Sequence, residues 1–342
     1  MFQPKYRLTK KNLSNITQIE RFYGQLETLR LPKKLELNLE RSNLIQSSYI
    51  SNSIEGNLLS LPEVTNLLLN DRVPANRDEK EVRNYFEILK DLGAYTDRSI
   101  SLSIIRQIHQ KLLTGVKDKI GGRIRNKKVV VGGYIQKKGK LTFQTKHEPP
   151  FHLKLQIERS LKDLFNWLKK EKEIPTAMKA GIFHHHFVYL HPFEDGNGRA
   201  CRLLTALIFL KDNYLINKYF VLDDYYDIDR SLYSDKLHSA DQGDKTEWLE
   251  YFSDGVKYSL QGALVKVRDA VDSLSIEDQP SPREKEVLGF LQKRKEITST
   301  DLAEKLKISR QQAHNLLSSL VEKGFLKKKG KTKASYYCLK QS

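Results

Sequence analysis

A chain of 342 residues has room for two or three domains. It carries no apolar run long enough to cross a bilayer, and its start, Met1-Phe2-Gln3-Pro4-Lys5-Tyr6, lacks the apolar core of a secretory signal. Only Cys201 and Cys338 occur, far apart, so a disulfide framework is not expected and a reducing cytoplasm is the default location. The formal charge of +17 favours acidic partners, nucleotide and nucleic acid among them. That charge is concentrated. Residues 117–146 hold ten Lys/Arg against the single acid Asp118, and residues 280–342 hold fifteen against six.

In chain order, the first hundred residues read as helices. A mixed-polarity segment runs from Leu35 through Leu39, Tyr49 and Ile50 to Glu55, with Gly56 as a C-terminal stop. Leu61-Pro62-Glu63 starts a second helix, and Val82, Tyr85, Phe86 and Leu89 mark a third. Another fits Ile104 to Leu112, ended near Gly115. The pattern then changes. Val129-Val130-Val131, Gly132-Gly133 and Leu141-Thr142-Phe143 predict a β-hairpin with a basic tip. Ile157, Leu161, Leu164, Phe165 and Leu168 give a strongly amphipathic helix, and a helix over about 177–189 follows. More helices reach about residue 272.

Residues 273–282 have the polar, proline-rich character of a linker. Beyond it come a helix over 283–293, a short strand at Ile297-Thr298-Ser299, a helix capped by Thr300, and a third capped by Ser309 and stopped at Gly324. Phe325-Leu326 and Tyr336-Tyr337-Cys338-Leu339 flank a Lys/Gly turn. This order resembles a winged-helix module. Arg310, Gln311, His314, Asn315 and Ser318 fall off its apolar stripe of Ala313, Leu316, Leu317, Leu320 and Val321. They are placed to read a DNA groove, with Lys327 to Lys333 as a phosphate-contacting wing. Such modules equally mediate protein contacts, a homodimer included. The expected domains are 1–100, a helical region; 101–272, a core unit; 273–282, a linker; and 283–342, a winged helix.

The chemistry is concentrated in His191-Pro192-Phe193-Glu194-Asp195-Gly196-Asn197-Gly198-Arg199-Ala200-Cys201-Arg202. Imidazole takes a proton near neutral pH, and an aspartate holds a hard cation such as Mg²⁺. The apolar run Leu203 to Leu210 reads as a buried helix. The Gly-Asn-Gly turn then sits at a helix N-terminus, where free N–H groups and the macrodipole attract phosphate. Arg199 and Arg202, three apart, point to one side of the first turn.

The twelve residues resemble the Fic core motif, HPFxDGNGRxxR, at every fixed position, and the resemblance extends over roughly residues 40–262. It implies a mainly α fold with a β-hairpin flap and a C-terminal winged-helix (α+β) domain. The activity it implies is transfer of AMP from ATP to a Ser, Thr or Tyr hydroxyl of a protein, itself included, with release of pyrophosphate. His191 would be the catalytic base and Asp195 the Mg²⁺ ligand. Gly196, Asn197 and Gly198 would cradle the phosphates, with Arg199, Ala200, Cys201 and Arg202 completing the nucleotide-binding segment. Phe193 would anchor the loop. Val131-Gly132-Gly133-Tyr134 resembles the flap that covers the nucleotide, with Gly122 and Arg125 at familiar positions. Tyr233 and Asp241 align with the adenine-lining region, although Ser234 and Asp241 stand where some relatives have Tyr and Asn.

Ser51-Asn52-Ser53-Ile54-Glu55-Gly56 is similar to the family's inhibitory motif, (S/T)xxxE(G/N), whose glutamate pairs with the second motif arginine, here Arg202. Glu55 is thus the expected inhibitory residue. Gly198 favours nucleotidyl over phosphate transfer, since the phosphate-transferring type carries lysine there. Removal of AMP, and a DNA-binding regulator with a nucleotide-sensing core, are the alternatives. His184-His185-His186 point in different directions on a helix and do not converge on one ion unaided; His184 is expected to be structural.

Overall fold

The computed structural model describes residues 2–29, 31–137, 140–216, 218–272, 280–330 and 335–340. The expected hairpin tip at Lys138, most of the expected linker and the wing residues Lys331 and Lys333 lie outside them. The fold is mainly helical. In chain order come α1 (Lys10–Thr28), α2 (Lys33–Ile54), α3 (Leu61–Leu69), α4 (Arg77–Lys90) and α5 (Leu102–Leu113). The hairpin β1 (Val131–Lys137) and β2 (Lys140–His147) follows, then α6 (Lys154–Lys170), α7 (Thr176–Leu190), α8 (Asn197–Lys211), α9 (Asp223–Ile228) and α10 (Arg230–Ser239). The chain continues with α11 (Thr246–Asp272), α12 (Pro282–Lys293), α13 (Ser299–Leu306), α14 (Arg310–Glu322), β3 (Leu326–Lys329) and β4 (Tyr336–Leu339).

Two compact units result, residues 1–24 with 42–263, and residues 25–41 with 264–342. At the centre of the first lie α7 and α8, buried nearly all round, with apolar residues on every side and polar ones such as His184 and Thr205 paired with each other. α11 packs closely on α7 at Gly181. There the Trp248 indole N–H donates to the Gly181 carbonyl at 2.8 Å. A methyl group added at Gly181 would stand 2.8 Å from Leu249 Cδ2. The amphipathic helix read around Ile157 is α6, with Ile157, Leu161 and Leu164 fully buried. Ser60 caps α3 through a reciprocal capping box with Glu63, and Pro62 occupies the first turn, as its missing N–H allows.

Helix α1 has no counterpart among the individual helices read from the sequence. Its surface is largely polar, and it is held by Ile19 and Tyr23, with the Tyr23 hydroxyl donating to the Asn213 carbonyl at 2.8 Å. The hairpin is antiparallel with a bulge between Val131 and Gly132. Gly132 is required there, because a Cβ would fall 2.1 Å from the Gln144 carbonyl oxygen.

The second unit has its own core of Val287, Leu291, Leu302, Ala313, Leu317, Leu320, Phe325 and Tyr337. β3 and β4 pair antiparallel. Ser309 caps α14, as read. Two local expectations are corrected. The cap of α13 is Thr298, whose side chain accepts from the Asp301 N–H, and Thr300 lies inside the first turn. The strand at 297–299 reduces to one bridge between Ile297 and Tyr337, because Thr298 already turns into its capping role.

Candidate active site

Helix α7 ends at His191, which takes the left-handed conformation (φ 46°) and reverses the chain. The last carbonyls of a helix have no partner within it, and Arg125 supplies one. Its Nε donates to the His191 carbonyl at 2.6 Å, its other nitrogens to those of Leu190 and Lys127 at 3.0 and 2.8 Å. The resulting pocket lowers the His191 pKa to about 4, first by burial and then by the charges of Arg125 and His147. His191 is neutral at pH 7, and its buried Nδ1 meets no hydrogen-bond partner among the described residues.

The loop closes on itself. The Asn197 amide accepts from the Phe193 N–H and donates to the Phe193 carbonyl, both at 2.9 Å. Gly196 takes φ 74° and begins α8, where an L side chain would be strained. Phe193 is fully buried and stacks on His109, with ring centroids 3.6 Å apart. His109 receives the Gly122 N–H on Nδ1, so its Nε2 carries the proton and donates to the Asp195 carbonyl at 2.8 Å. Burial holds it neutral, with a pKa of about 4. The Asp195 carboxylate accepts from the Gly196 N–H and pairs with Lys117. Burial opposes its ionisation, yet Lys117, Arg199 and that N–H outweigh the penalty and set its pKa below the usual range.

Glu55, just past the end of α2, lies against the start of α8. Its Oε1 accepts from the Arg202 guanidinium at 2.8 Å, and the same group donates to Ser51 Oγ and to the Ser51 carbonyl at 2.7 and 2.8 Å. A Cβ on Gly198 would sit 2.1 Å from Glu55 Oε1. The carboxylate therefore occupies the position over the first turn of α8 that favours an anion. Arg230 holds the same end of α2 in place, donating to the carbonyl and hydroxyl of Ser53 at 2.8 Å each.

Arg199 also faces α2, 3.4 Å from Asn52 Oδ1, but its ion pair is with buried Glu81 on α4 at 3.2 Å. Ala200, Cys201 and Tyr233, read as lining the nucleotide, are buried in the core. The Tyr233 hydroxyl lies 2.9 Å from His184 Nε2, and His184 Nδ1 lies 3.0 Å from Thr205, so His184 is structural, as expected. The three consecutive histidines diverge: His185 faces Asp241 and His186 faces Ser160. Val131, Gly132 and Gly133 lie on β1, and the Tyr134 side chain falls outside the described residues. Asp241 is bound by histidines rather than open. The sequence reading missed His109, Lys117 and Glu81. Glu81 left a signal, an acid beside the apolar positions Val82 and Tyr85.

Residues 99–209 match the Fic/DOC family, and residues 279–332 match the MarR family. The chain is 28% identical over 252 residues to Protein adenylyltransferase fic-1 of Caenorhabditis elegans, covering 70% of this chain and 45% of that protein. It is 28% identical over 260 residues to Protein adenylyltransferase Fic of Culex quinquefasciatus, covering 71% and 47%. It thus spans less than half the length of these relatives. In fold it is similar to a Fic family protein from Desulfovibrio desulfuricans (TM-score 0.67, 24% identity, covering 100% of this chain and 99% of that one). Residues 134–508 of C. elegans Fic-1 are similar too (TM-score 0.61, 23% identity, 76% and 73% covered). The chain therefore carries a domain of the Fic/DOC family over residues 99–209, followed by a winged-helix domain of MarR type.

Proposed function

We propose that this chain is a protein adenylyltransferase that moves AMP from ATP to a protein hydroxyl and is held in check by Glu55. The observation that carries the reading is the Glu55 carboxylate on Arg202, over the first turn of α8, where a triphosphate would present its terminal charge. In the active form Glu55 withdraws and Arg202 is freed for phosphate. Neutral His191 takes the proton of the incoming hydroxyl, whose oxygen bonds to the α-phosphorus as the bond to pyrophosphate breaks. The N–H groups at the start of α8 and Arg202 offset the charge on the phosphates. The residues fit a Mg²⁺ ion: Asp195 is an oxygen donor kept ionised, and the Lys117 ammonium beside it marks a position that accepts positive charge. When bound, Mg²⁺ would neutralise phosphate charge, with Asp195 as its protein ligand.

Intact-mass measurement after incubation with ATP and Mg²⁺ tests the reading. The Glu55→Gly variant is expected to gain AMP-sized adducts and the Glu55→Gly/His191→Ala variant none. Phosphate-sized adducts, or equal labelling of both, would overturn it. Loss of AMP from a pre-modified chain, dependent on Glu55, would point to the reverse reaction instead.

A second reading concerns the winged-helix unit, where Arg310, Gln311, His314 and Asn315 are exposed on α14 and Lys327 to Lys329 on β3. These are groups suited to base edges and phosphates. A duplex-DNA complex whose affinity falls steeply with salt, and is lost on deleting residues 280–342, is the expected result. Salt-independent binding, or binding unaffected by the deletion, contradicts it.

A further inference from the structure

Asp241, read from the sequence as part of the nucleotide pocket, lies among three histidines from three different elements. Its Oδ2 is 2.7 Å from Nδ1 of His147, the last residue of β2, and 3.0 Å from Nδ1 of His238 on α10. Its Oδ1 is 3.0 Å from Nε2 of His185 on α7. The outer contacts fix the ring orientations. His147 Nε2 lies 2.8 Å from the Tyr189 carbonyl, which only accepts, so that nitrogen carries a proton and Nδ1 is turned inward. His185 Nδ1 receives the Lys245 ammonium at 2.7 Å, so its proton sits on Nε2 and is donated to Asp241 Oδ1.

Three atoms remain facing one another: His147 Nδ1, His238 Nδ1 and Asp241 Oδ2, all within 4.8 Å. The two imidazoles are nearly parallel, 19° apart, with centroids at 5.1 Å. Both nitrogens of the nearly buried His147 ring face oxygens. Asp241 Oδ2 in turn faces a ring nitrogen of each of the two histidines. With both rings protonated on Nε2, the three facing atoms would offer an ion two nitrogen lone pairs and one carboxylate oxygen.

We propose that His147, His238 and Asp241 form a site for one divalent transition-metal ion of the zinc class. Two imidazoles and a carboxylate suit zinc, with ligands at about 2.0–2.2 Å and a fourth position for water, and suit Mg²⁺ poorly. The contact of His147 with Tyr189 and of His185 with Asp241 are the outer hydrogen bonds that metal ligands ordinarily have. The side chains of His238 and Asp241 are each 16% exposed, which leaves an entry path. The bound ion fastens the foot of the hairpin to the end of α10. It shares no ligand with Asp195 and does not depend on the adenylyltransferase reading.

The full chain, stripped with a chelator and titrated with Co²⁺, tests this. The expected result is one Co²⁺ per chain, with a visible d–d band that Zn²⁺ abolishes and Mg²⁺ does not. Asp195→Asn should leave the band in place. His238→Ala and Asp241→Asn should weaken Co²⁺ binding by more than the roughly 10–100-fold that loss of an outer hydrogen-bond partner costs. If Asp241→Asn misfolds by circular dichroism, the less buried His238→Ala decides. Absence of the 1:1 band in the unaltered chain, or a band that survives His238→Ala, overturns the proposal.

Discussion

At Gly198 a single missing methyl group decides where Glu55 can go. The nearest atom to a hypothetical Cβ is the tip of the Glu55 side chain, 2.1 Å away, with the rest of the loop not crowded to that degree. A flexible carboxylate can swing aside, so Gly198→Ala is expected to cost less than about 1 kcal/mol of stability. It should nonetheless break the Glu55–Arg202 pair and raise amide exchange over residues 51–56. Unchanged exchange there would show that the carboxylate does not rest on α8. The candidate site residues were legible because they follow chain order: His191, Asp195, Gly196 and Arg202 lie within one turn and the helix it starts. Arg199 was legible only in part. Its place on the same side of the first turn as Arg202 follows from helical spacing, but its pairing with Glu81 depends on a helix more than a hundred residues earlier.

Among the elements, α7 and α11 meet at a glycine that has no room to spare. At Gly181 a Cβ would press on Leu249 and on the Phe252 ring, at 2.8 and 3.0 Å. These are packed core groups, so Gly181→Ala is expected to destabilise by about 1–3 kcal/mol, measured by urea unfolding. A neutral result would mean that α11 is free to retreat. The helices with strong apolar periodicity, such as α6, and those with explicit caps, such as α3 and α14, were readable from the residues. α1 was not, since much of its surface is polar and its place depends on contacts such as Tyr23 with Asn213. The cap of α13 was misplaced by two residues because Thr298 and Thr300 both have the right side chain. Only the backbone distinguishes them.

For the whole molecule, buried histidines set the response to acid. His109, His184 and His185 are at most 1% exposed, and burial first of all lowers each pKa, to about 4 for His109 and His185. The unfolded chain takes up these protons near pH 6.5 and the folded chain does not. Their contribution is therefore complete above about pH 6.5 and is lost as pH falls toward 4, by up to about 1.4 kcal/mol per pH unit for each. His147, with a raised pKa, and Asp223, pushed up to about 6 by burial, act in the opposite sense, and the depressed histidines outweigh them. Tm should fall by on the order of 10 °C between pH 6.5 and 4.5. A flat profile over that range would mean these rings are already solvated.

The most direct test of the central claim is the rate of AMP transfer from α-labelled ATP by the unaltered chain and by Glu55→Gly, at equal concentration with Mg²⁺. If the carboxylate blocks the phosphate position on Arg202, its removal should raise the rate on the order of tenfold or more, equivalent to about 1.4 kcal/mol. Equal rates, with His191 intact and both proteins folded, would contradict the account.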